Sequence, residues 1–279
     1  AKDAQTNLYS QTLHYGAGVF EGIRAYKTED GTKVFKAEEH YERLHYSADK
    51  MHIQLDYSVE QLVNLTYELL EKNGLENAYI RPLVYLGENM SLSATSEVHV
   101  MLCAWYWDKY LGDEQLRLCT SSFQRPNPKS CFVEAKVTGH YTNSILATNE
   151  AKQKGFDEAL MLDMNGNVAE GPGANFFFEK EGILFTAPLG NILSGITRQT
   201  IFELCEELGL EIKEKHFLPG EVYNADGAFF TGTAAEVAGI KSLDERSFKL
   251  NWEETIGYEL SKAYQNRVQK KEYKHFELV

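Results

Sequence analysis

The amino-acid sequence predicts a mixed α/β (α+β) protein: a small α/β domain over residues 1–104 and a larger pseudo-barrel β domain with flanking helices over 116–279, joined by a loop at 105–115. Three observations carry this expectation. At 279 residues the chain is long enough for two domains of ordinary size. Its N-terminal part sets two helical periodicities between strand-like apolar runs. From about Leu116 the rhythm changes to many short strands separated by turn-forming residues.

Residues 16–26 (GAGVFEGIRAY) and 32–35 read as strands joined by a turn at Asp30-Gly31. Residues 37–51 follow as a helix, with Tyr41, Leu44, Ala48 and Met51 on one apolar stripe. A second helix starts at Ser58, whose side chain can cap it while Gln61 reaches back, and stops at Asn73-Gly74. Strongly apolar strands are expected at 78–86 and 98–105. Farther on, 158–163 and 167–170 flank Asn165-Gly166 as a hairpin, because that turn needs residues tolerant of positive φ. Strands at 175–178, 183–186, 211–215, 227–231 and 235–240 suggest a barrel or closed sheet. Helices are expected at 141–154, 197–208 and 252–267, the middle one burying Ile201, Leu204, Cys205 and Leu208 and ending at Gly209.

With a net charge of -13, the chain lacks the overall basic character that a nucleic-acid or anionic-membrane partner would favour, although a site on it can be locally positive. Cys103, Cys119, Cys131 and Cys205 form no C-x-x-C pair and no His is spaced with them for zinc, so no metal site and a reduced, cytoplasmic setting are expected. No apolar run is long enough to span a bilayer and no signal peptide is apparent. The missing initiator Met suggests that a few residues, or a short first strand, precede Ala1.

Four glycine-bearing segments put polar residues where backbone can approach a ligand closely: YGAGVFEGIR (15–24), EGPGAN (170–175), SGITR (194–198) and TGTAAE (231–236). SGITR leads into a helix, so free N–H groups and the helix dipole converge at Gly195 to Thr197, a ready anion site. TGTAAE adds the Thr231 and Thr233 hydroxyls to a glycine hinge. Two such cradles without a P-loop or a dinucleotide fingerprint point to a phosphorylated ligand other than a nucleotide. Lys136, in FVEAKVTGHY, is either a surface lysine in a turn or an amine held partly desolvated for covalent work, and composition does not choose between them.

Taken together, YGAGVFEGIRAY, AKVTGHYTNS, NGNVAEGPGANFFF and SGITRQTI followed by TGTAAEV resemble the branched-chain amino acid aminotransferases, which have the type IV fold of pyridoxal-phosphate enzymes. The similarity runs from about Asn7 to Tyr264, with the motifs in the family's order. The resemblance implies that Lys136 is the Schiff-base lysine and shuttles the proton between the substrate α-carbon and the cofactor. By the same resemblance Glu170 keeps the pyridine nitrogen protonated, which makes the ring a better electron sink. Without it, Glu170 reads as a carboxylate at a hairpin end. Tyr141 matches the tyrosine on the phenolic oxygen and Arg43 the phosphate-binding arginine, whose structural alternative is an i,i+4 pair with Glu39. Ile196 and Thr197 match the backbone phosphate cradle, completed by the Thr233 hydroxyl.

On the substrate side, the resemblance makes Tyr15, Phe20, Trp107 and Tyr110 walls of an apolar pocket for Leu, Ile and Val side chains. Arg81, in YIRPLV, would receive the distal carboxylate of glutamate or 2-oxoglutarate with help from the Tyr15 and Tyr110 hydroxyls. Thr233 and Ala234 would present amides to the α-carboxylate. The implied reaction is ping-pong transamination with 2-oxoglutarate in branched-chain amino acid biosynthesis. A homodimer or larger homo-oligomer is implied, with Met90 and Leu92 contributed by a second subunit. The family's first strand is absent here, and the loop at 87–93 is shorter than in many relatives. Two rival readings are a D-amino acid transaminase or aminodeoxychorismate lyase on the same scaffold, and a noncatalytic binder of a phosphorylated ligand.

Overall fold

A computed structural model describes residues 5–93, 97–107 and 114–269. The chain forms two sheets. The first comprises β1 (Gly18–Phe20), β2 (Ile23–Thr28), β3 (Gly31–Val34), β4 (Ala78–Leu86) and β5 (Val98–Trp105), preceded by a short helix α1 (Gln11–Tyr15) and interleaved with α2 (Ala37–Lys50) and α3 (Val59–Asn73). The sequence reading did not anticipate α1, which Gly16 ends in the left-handed conformation at φ 69°.

The single strand expected at 16–26 is two strands lying along one side of antiparallel β4, residues 18–20 opposite 83–85 and 23–25 opposite 78–80. The gap falls at Glu21-Gly22, opposite Pro82. Proline has no N–H to donate, so the ladder keeps only the bond from Glu21 N–H to Pro82 O, 3.0 Å.

The helices form for the reasons read from the sequence. Tyr41, Leu44 and Ala48 of α2 are buried, while Met51 is its C-cap. Ser58 and Gln61 make the reciprocal capping box of α3, and Gly74 closes it at φ 62°.

Of the loop expected at 105–115, residues 108–113 lie outside the described residues. The second sheet contains β6 (Leu116–Thr120), β7 (Glu158–Leu162), β8 (Val168–Glu170), β9 (Asn175–Lys180), β10 (Ile183–Thr186), β11 (Ile212–Glu214), β12 (Gly227–Gly232), β13 (Glu236–Leu243) and β14 (Arg246–Ser247). Its helices are α4 (Tyr141–Gln153), α5 (Ile196–Leu208), a short α6 (Pro219–Val222) and α7 (Ile256–Gln269). The start expected at residue 252 is a separate single turn, Trp252–Glu254, ahead of α7.

Strands run β9-β12-β13-β6-β7-β8 and return to β9 through Glu170 opposite Asn175, closing a six-strand ring. This is the expected pseudo-barrel. In β9, Phe176 and Phe178 join the interior core with Leu118, Val168, Phe217 and Phe230. Phe177 points the other way and stacks on Phe229 beneath α5 and α7, 5.0 Å between ring centroids. Among the described residues no helix is long and apolar enough to cross a membrane.

The core of the first sheet also takes in Ala135 and Val137, which arrive from the segment before α4. Alternation along an extended chain turns Lys136 away from that core. Its backbone is fixed on both sides: its N–H donates to Ser47 Oγ of α2 at 2.9 Å, and its carbonyl accepts from Phe20 N–H of β1 at 3.1 Å. Removing the acceptor in Ser47→Ala leaves that N–H without its protein partner. The expected cost is about 1–3 kcal/mol, read as a lower denaturant midpoint at unchanged slope.

Candidate active site

A cavity of about 560 Å³ opens where β1, β4, the 133–141 segment, the start of α5 and two barrel turns converge. Lys136 projects into it, and Nζ donates to the Tyr141 hydroxyl at 2.6 Å. Phe20 packs its ring edge-on against Tyr141 at 4.9 Å and lies 4.9 Å from the Lys136 ammonium. The amine is therefore half-buried between two aromatic rings, not on an open turn.

Glu170, at the end of β8, is 4% exposed. Oε2 accepts from Asn175 Nδ2 at 2.8 Å, Oε1 accepts from Leu193 N–H at 3.1 Å, and Arg125 Nε lies 2.8 Å from Oε1. Burial pushes the Glu170 carboxyl above its ordinary value, and the Arg125 charge and the Leu193 amide pull it back part of the way. A cationic group placed against this carboxylate would favour its charged form.

The opposite end of the cavity is built for an anion. Helix α5 starts at Gly195 with no side chain capping it, and Ile196 and Thr197 line the cavity. A Cβ at Gly195 would fall 1.9 Å from Asn175 Oδ1, so only glycine lets the helix start this close to the residue that holds Glu170.

Arg43 reaches the same cavity from α2. It does not pair with Glu39: Nε and Nη2 donate to the two oxygens of Glu21, at 2.7 and 2.9 Å, and Nη1 donates to Ser194 O at 2.8 Å. Glu21 is wholly buried and also bonds His40 Nδ1 at 2.7 Å. Burial alone would raise the Glu21 carboxyl, but the Arg43 charge and the bonds from His40 and Arg43 hold it well below the usual carboxylate range. Burial lowers the His40 imidazole, with Glu21 opposing.

Thr233 and Ala234 line the cavity from the β12–β13 turn, beside Thr231. The Thr231 hydroxyl and Arg81 Nε, both buried, have no hydrogen-bond partner among the described residues. Arg81 is carried by β4, donates to the Tyr79 hydroxyl at 2.8 Å and lies 4.7 Å over the Phe20 ring. Trp107 meets Tyr79 edge-on at 4.7 Å and closes that side.

Of the expected site residues, the fold brings Phe20, Arg43, Arg81, Trp107, Lys136, Tyr141, Glu170, Ile196, Thr197, Thr233 and Ala234 to this cavity. It does not bring Tyr15. Helix α1 puts that side chain on the outside, 46% exposed, with its hydroxyl donating to Met90 O at 3.0 Å. Met90 and Leu92 are exposed as well. Tyr110 lies outside the described residues.

Glu21, His40, Tyr79, Arg125 and Asn175 were not singled out from the sequence. A carboxylate in the apolar strand VFEGIRAY was the one available signal, since a buried charge demands a partner. Nothing in QRPNP marks Arg125.

The donor set is coherent: an amine beside a hydroxyl, a buried carboxylate facing them, and a helix start with an arginine at the far end. That fits a phosphorylated aromatic aldehyde carrying a basic ring nitrogen, the chemistry of pyridoxal phosphate.

Comparison with known proteins agrees. Residues 18–243 match the family model of amino-transferase class IV. The chain is 44% identical over 282 residues to the branched-chain-amino-acid aminotransferase of Pseudomonas aeruginosa, covering 99% of this chain and 92% of that one. Among solved structures, the branched-chain aminotransferase of Thermoproteus uzoniensis with norvaline superposes with a TM-score of 0.93 at 38% identity, covering 97% of this chain and 92% of that one. The branched-chain amino acid aminotransferase of Thermobaculum terrenum in its PLP-form (holo-form) gives 0.90 at 32%, covering 97% and 91%.

The buried clamp on Arg43 makes a stability prediction. Glu21→Gln removes one partner of a buried ion pair and is expected to cost about 3–5 kcal/mol, less when combined with Arg43→Met. The Glu21 carboxyl is held below its ordinary 4.5, so the folded state binds fewer protons there than the unfolded chain. The stability difference between wild type and Glu21→Gln should therefore be flat from pH 8 down to about 5 and shrink below about 4.5. Denaturant titrations across pH test both statements.

Proposed function

The chain belongs to the class IV aminotransferases and, within them, to the branched-chain-amino-acid aminotransferases; on that premise we propose a specific reaction and an assignment of roles. With pyridoxal 5'-phosphate, the protein moves the amino group of L-leucine, L-isoleucine or L-valine to 2-oxoglutarate. The products are the branched-chain 2-oxo acids and L-glutamate, formed by a ping-pong cycle. The observation that carries this reading is the set of groups sharing one cavity: Lys136 Nζ bonded to Tyr141, the buried Glu170, and an uncapped helix start beside Arg43.

Bound pyridoxal phosphate supplies an aldehyde for the substrate amine and a ring that accepts the electron pair released at the α-carbon. Lys136 Nζ would anchor it covalently and, when free, would be the base that carries the substrate α-proton. Tyr141 holds Nζ in position and hydrogen-bonds the phenolic oxygen. Glu170 keeps a proton on the ring nitrogen by opposing charge, and Arg125 beside it preserves that charge. Arg43, the amides of Ile196 and Thr197 and the Thr233 hydroxyl hold the phosphate.

The amides of Thr233 and Ala234 hold the substrate α-carboxylate. Phe20 and Trp107 form apolar walls, and the edge of Arg81 receives the distal carboxylate of glutamate, so one pocket serves both halves of the cycle. Tyr15, Met90 and Leu92, exposed together on one chain, complete the pocket of a second copy in a homodimer or larger homo-oligomer. The setting we propose is cytoplasmic branched-chain amino acid biosynthesis, in keeping with four free cysteines among the described residues.

Three outcomes test this reading. The purified protein should show a yellow absorption band that L-leucine bleaches and 2-oxoglutarate restores; turnover of D-alanine with none of L-leucine would sink the assignment. Borohydride reduction followed by peptide mapping should place the cofactor on Lys136, and Lys136→Ala should abolish both band and turnover. Arg81→Ala should slow the 2-oxoglutarate half-reaction roughly 10- to 150-fold, and the leucine half-reaction much less. Equal losses in the two single-turnover rates would refute the role of Arg81.

A further inference from the structure

The turn that offers Thr233 and Ala234 to the cavity ends at Glu236, whose backbone is left-handed at φ 55°. A residue with a Cβ is strained there, and such strain persists only where surrounding contacts hold it. Glu236 is 4% exposed, and its side chain is gripped from two other elements. Oε1 accepts from the Tyr26 hydroxyl of β2 at 2.7 Å, and Oε2 accepts from Gln265 Nε2 of α7. Arg24 Nη1 stands 3.7 Å from Oε1, while Nη2 of the same guanidinium donates to Ala234 O at 3.4 Å.

Tyr26 is itself fixed by packing: it is buried in one cluster with Tyr264 of α7 and with Ile201 and Leu204 of α5. Burial, with the Glu236 carboxylate beside it, holds the Tyr26 hydroxyl well above its ordinary range, so it stays a donor.

We infer that Glu236 is a positioning residue: by bonding Tyr26 and Gln265 it holds the 232–235 turn so that the amides of Thr233 and Ala234 face the substrate α-carboxylate. Glu236 itself touches no substrate. It acts through the peptide groups two and three positions before it, and Arg24 fixes the Ala234 carbonyl from the other side. This inference rests on the proposed role of those amides.

The test measures binding, not turnover. Cofactor-loaded enzyme is titrated calorimetrically with 4-methylvaleric acid, which has the carbon skeleton of leucine and no amine to react. Glu236→Gly relieves the backbone strain but removes the grip, and should weaken the acid about tenfold, the worth of roughly one hydrogen bond to a charged group. Glu236→Gln keeps both hydrogen bonds, since Gln265 can turn its amide over, and should stay within about threefold of wild type. A Glu236→Gly enzyme that binds the acid as tightly as wild type overturns the positioning role, and so does a Glu236→Gln enzyme as weak as Glu236→Gly.

Should Glu236→Gly not fold, Tyr26→Phe removes one of the two anchoring donors. A loss of about threefold with that variant supports the role, and unchanged affinity overturns it. If the wild type itself fails to bind the acid, the reading of the turn as a carboxylate site falls first and the role of Glu236 falls with it. That result is distinct from a wild type that binds and variants that do not differ.

Discussion

The ring of strands closes through one residue pair, Glu170 opposite Asn175, and much of the site depends on that closure. Asn175 Nδ2 bonds the Glu170 carboxylate and the Leu193 carbonyl, and Leu193 N–H returns a bond to Glu170. The turn joining the two strands, the loop before α5 and the carboxylate are thereby one hydrogen-bonded unit. Its tightness explains two glycines. A Cβ at Gly195 would strike Asn175 Oδ1, and one at Gly171 would come within 2.7 Å of the Phe230 ring in the barrel core. Shifting Asn175 would therefore move both the Glu170 carboxylate and the helix start proposed to hold the phosphate.

A second constraint is electrostatic. The protein as a whole is acidic, with a net charge of -13, yet its cavity is lined by Arg43, Arg81, Arg125 and Lys136. Each is tied to something: Arg43 to Glu21, Arg125 to Glu170, Lys136 to Tyr141 and Arg81 to Tyr79. Fixed, partly desolvated cations of this kind bind anions with little reorganisation, which is what a site for a phosphate and successive carboxylates requires. Glu21 shows how the positioning is achieved. It gives up one face of the Arg43 guanidinium to a buried pair, which leaves the remaining edge aimed at α5.

Several of these features were legible in the sequence, and others could not have been. Tyr41, Leu44 and Ala48, the Ser58 capping box and the Asn165-Gly166 turn follow local rules that act within one or two helical turns or a hairpin. They were therefore readable one segment at a time. The split of β1 from β2 was not, because its cause is Pro82, some sixty residues away and opposite only once β4 pairs. Likewise, α1 has neither the length nor the apolar periodicity to announce itself. It moves Tyr15 away from its own chain's cavity, so a motif position that resembled a pocket wall proves to face outward.

The site divides in the same way. Residue identity carried Lys136, Glu170, Arg43 and the two glycine turns, because the family's motifs place those side chains at particular positions along the chain. Their partners are held by long-range packing: Glu21 on His40 and Arg43, Arg125 on Glu170, and Tyr26 and Gln265 on Glu236. A motif states which chemical group is available. The orientation of that group is decided by what lies against it from other elements, and burial makes those contacts obligatory, since an unpartnered charge or donor in the interior is costly. The sequence alone therefore determined the fold class, the amine and the carboxylate, whereas only the tertiary structure decided how they are aimed and which buried residues keep them there.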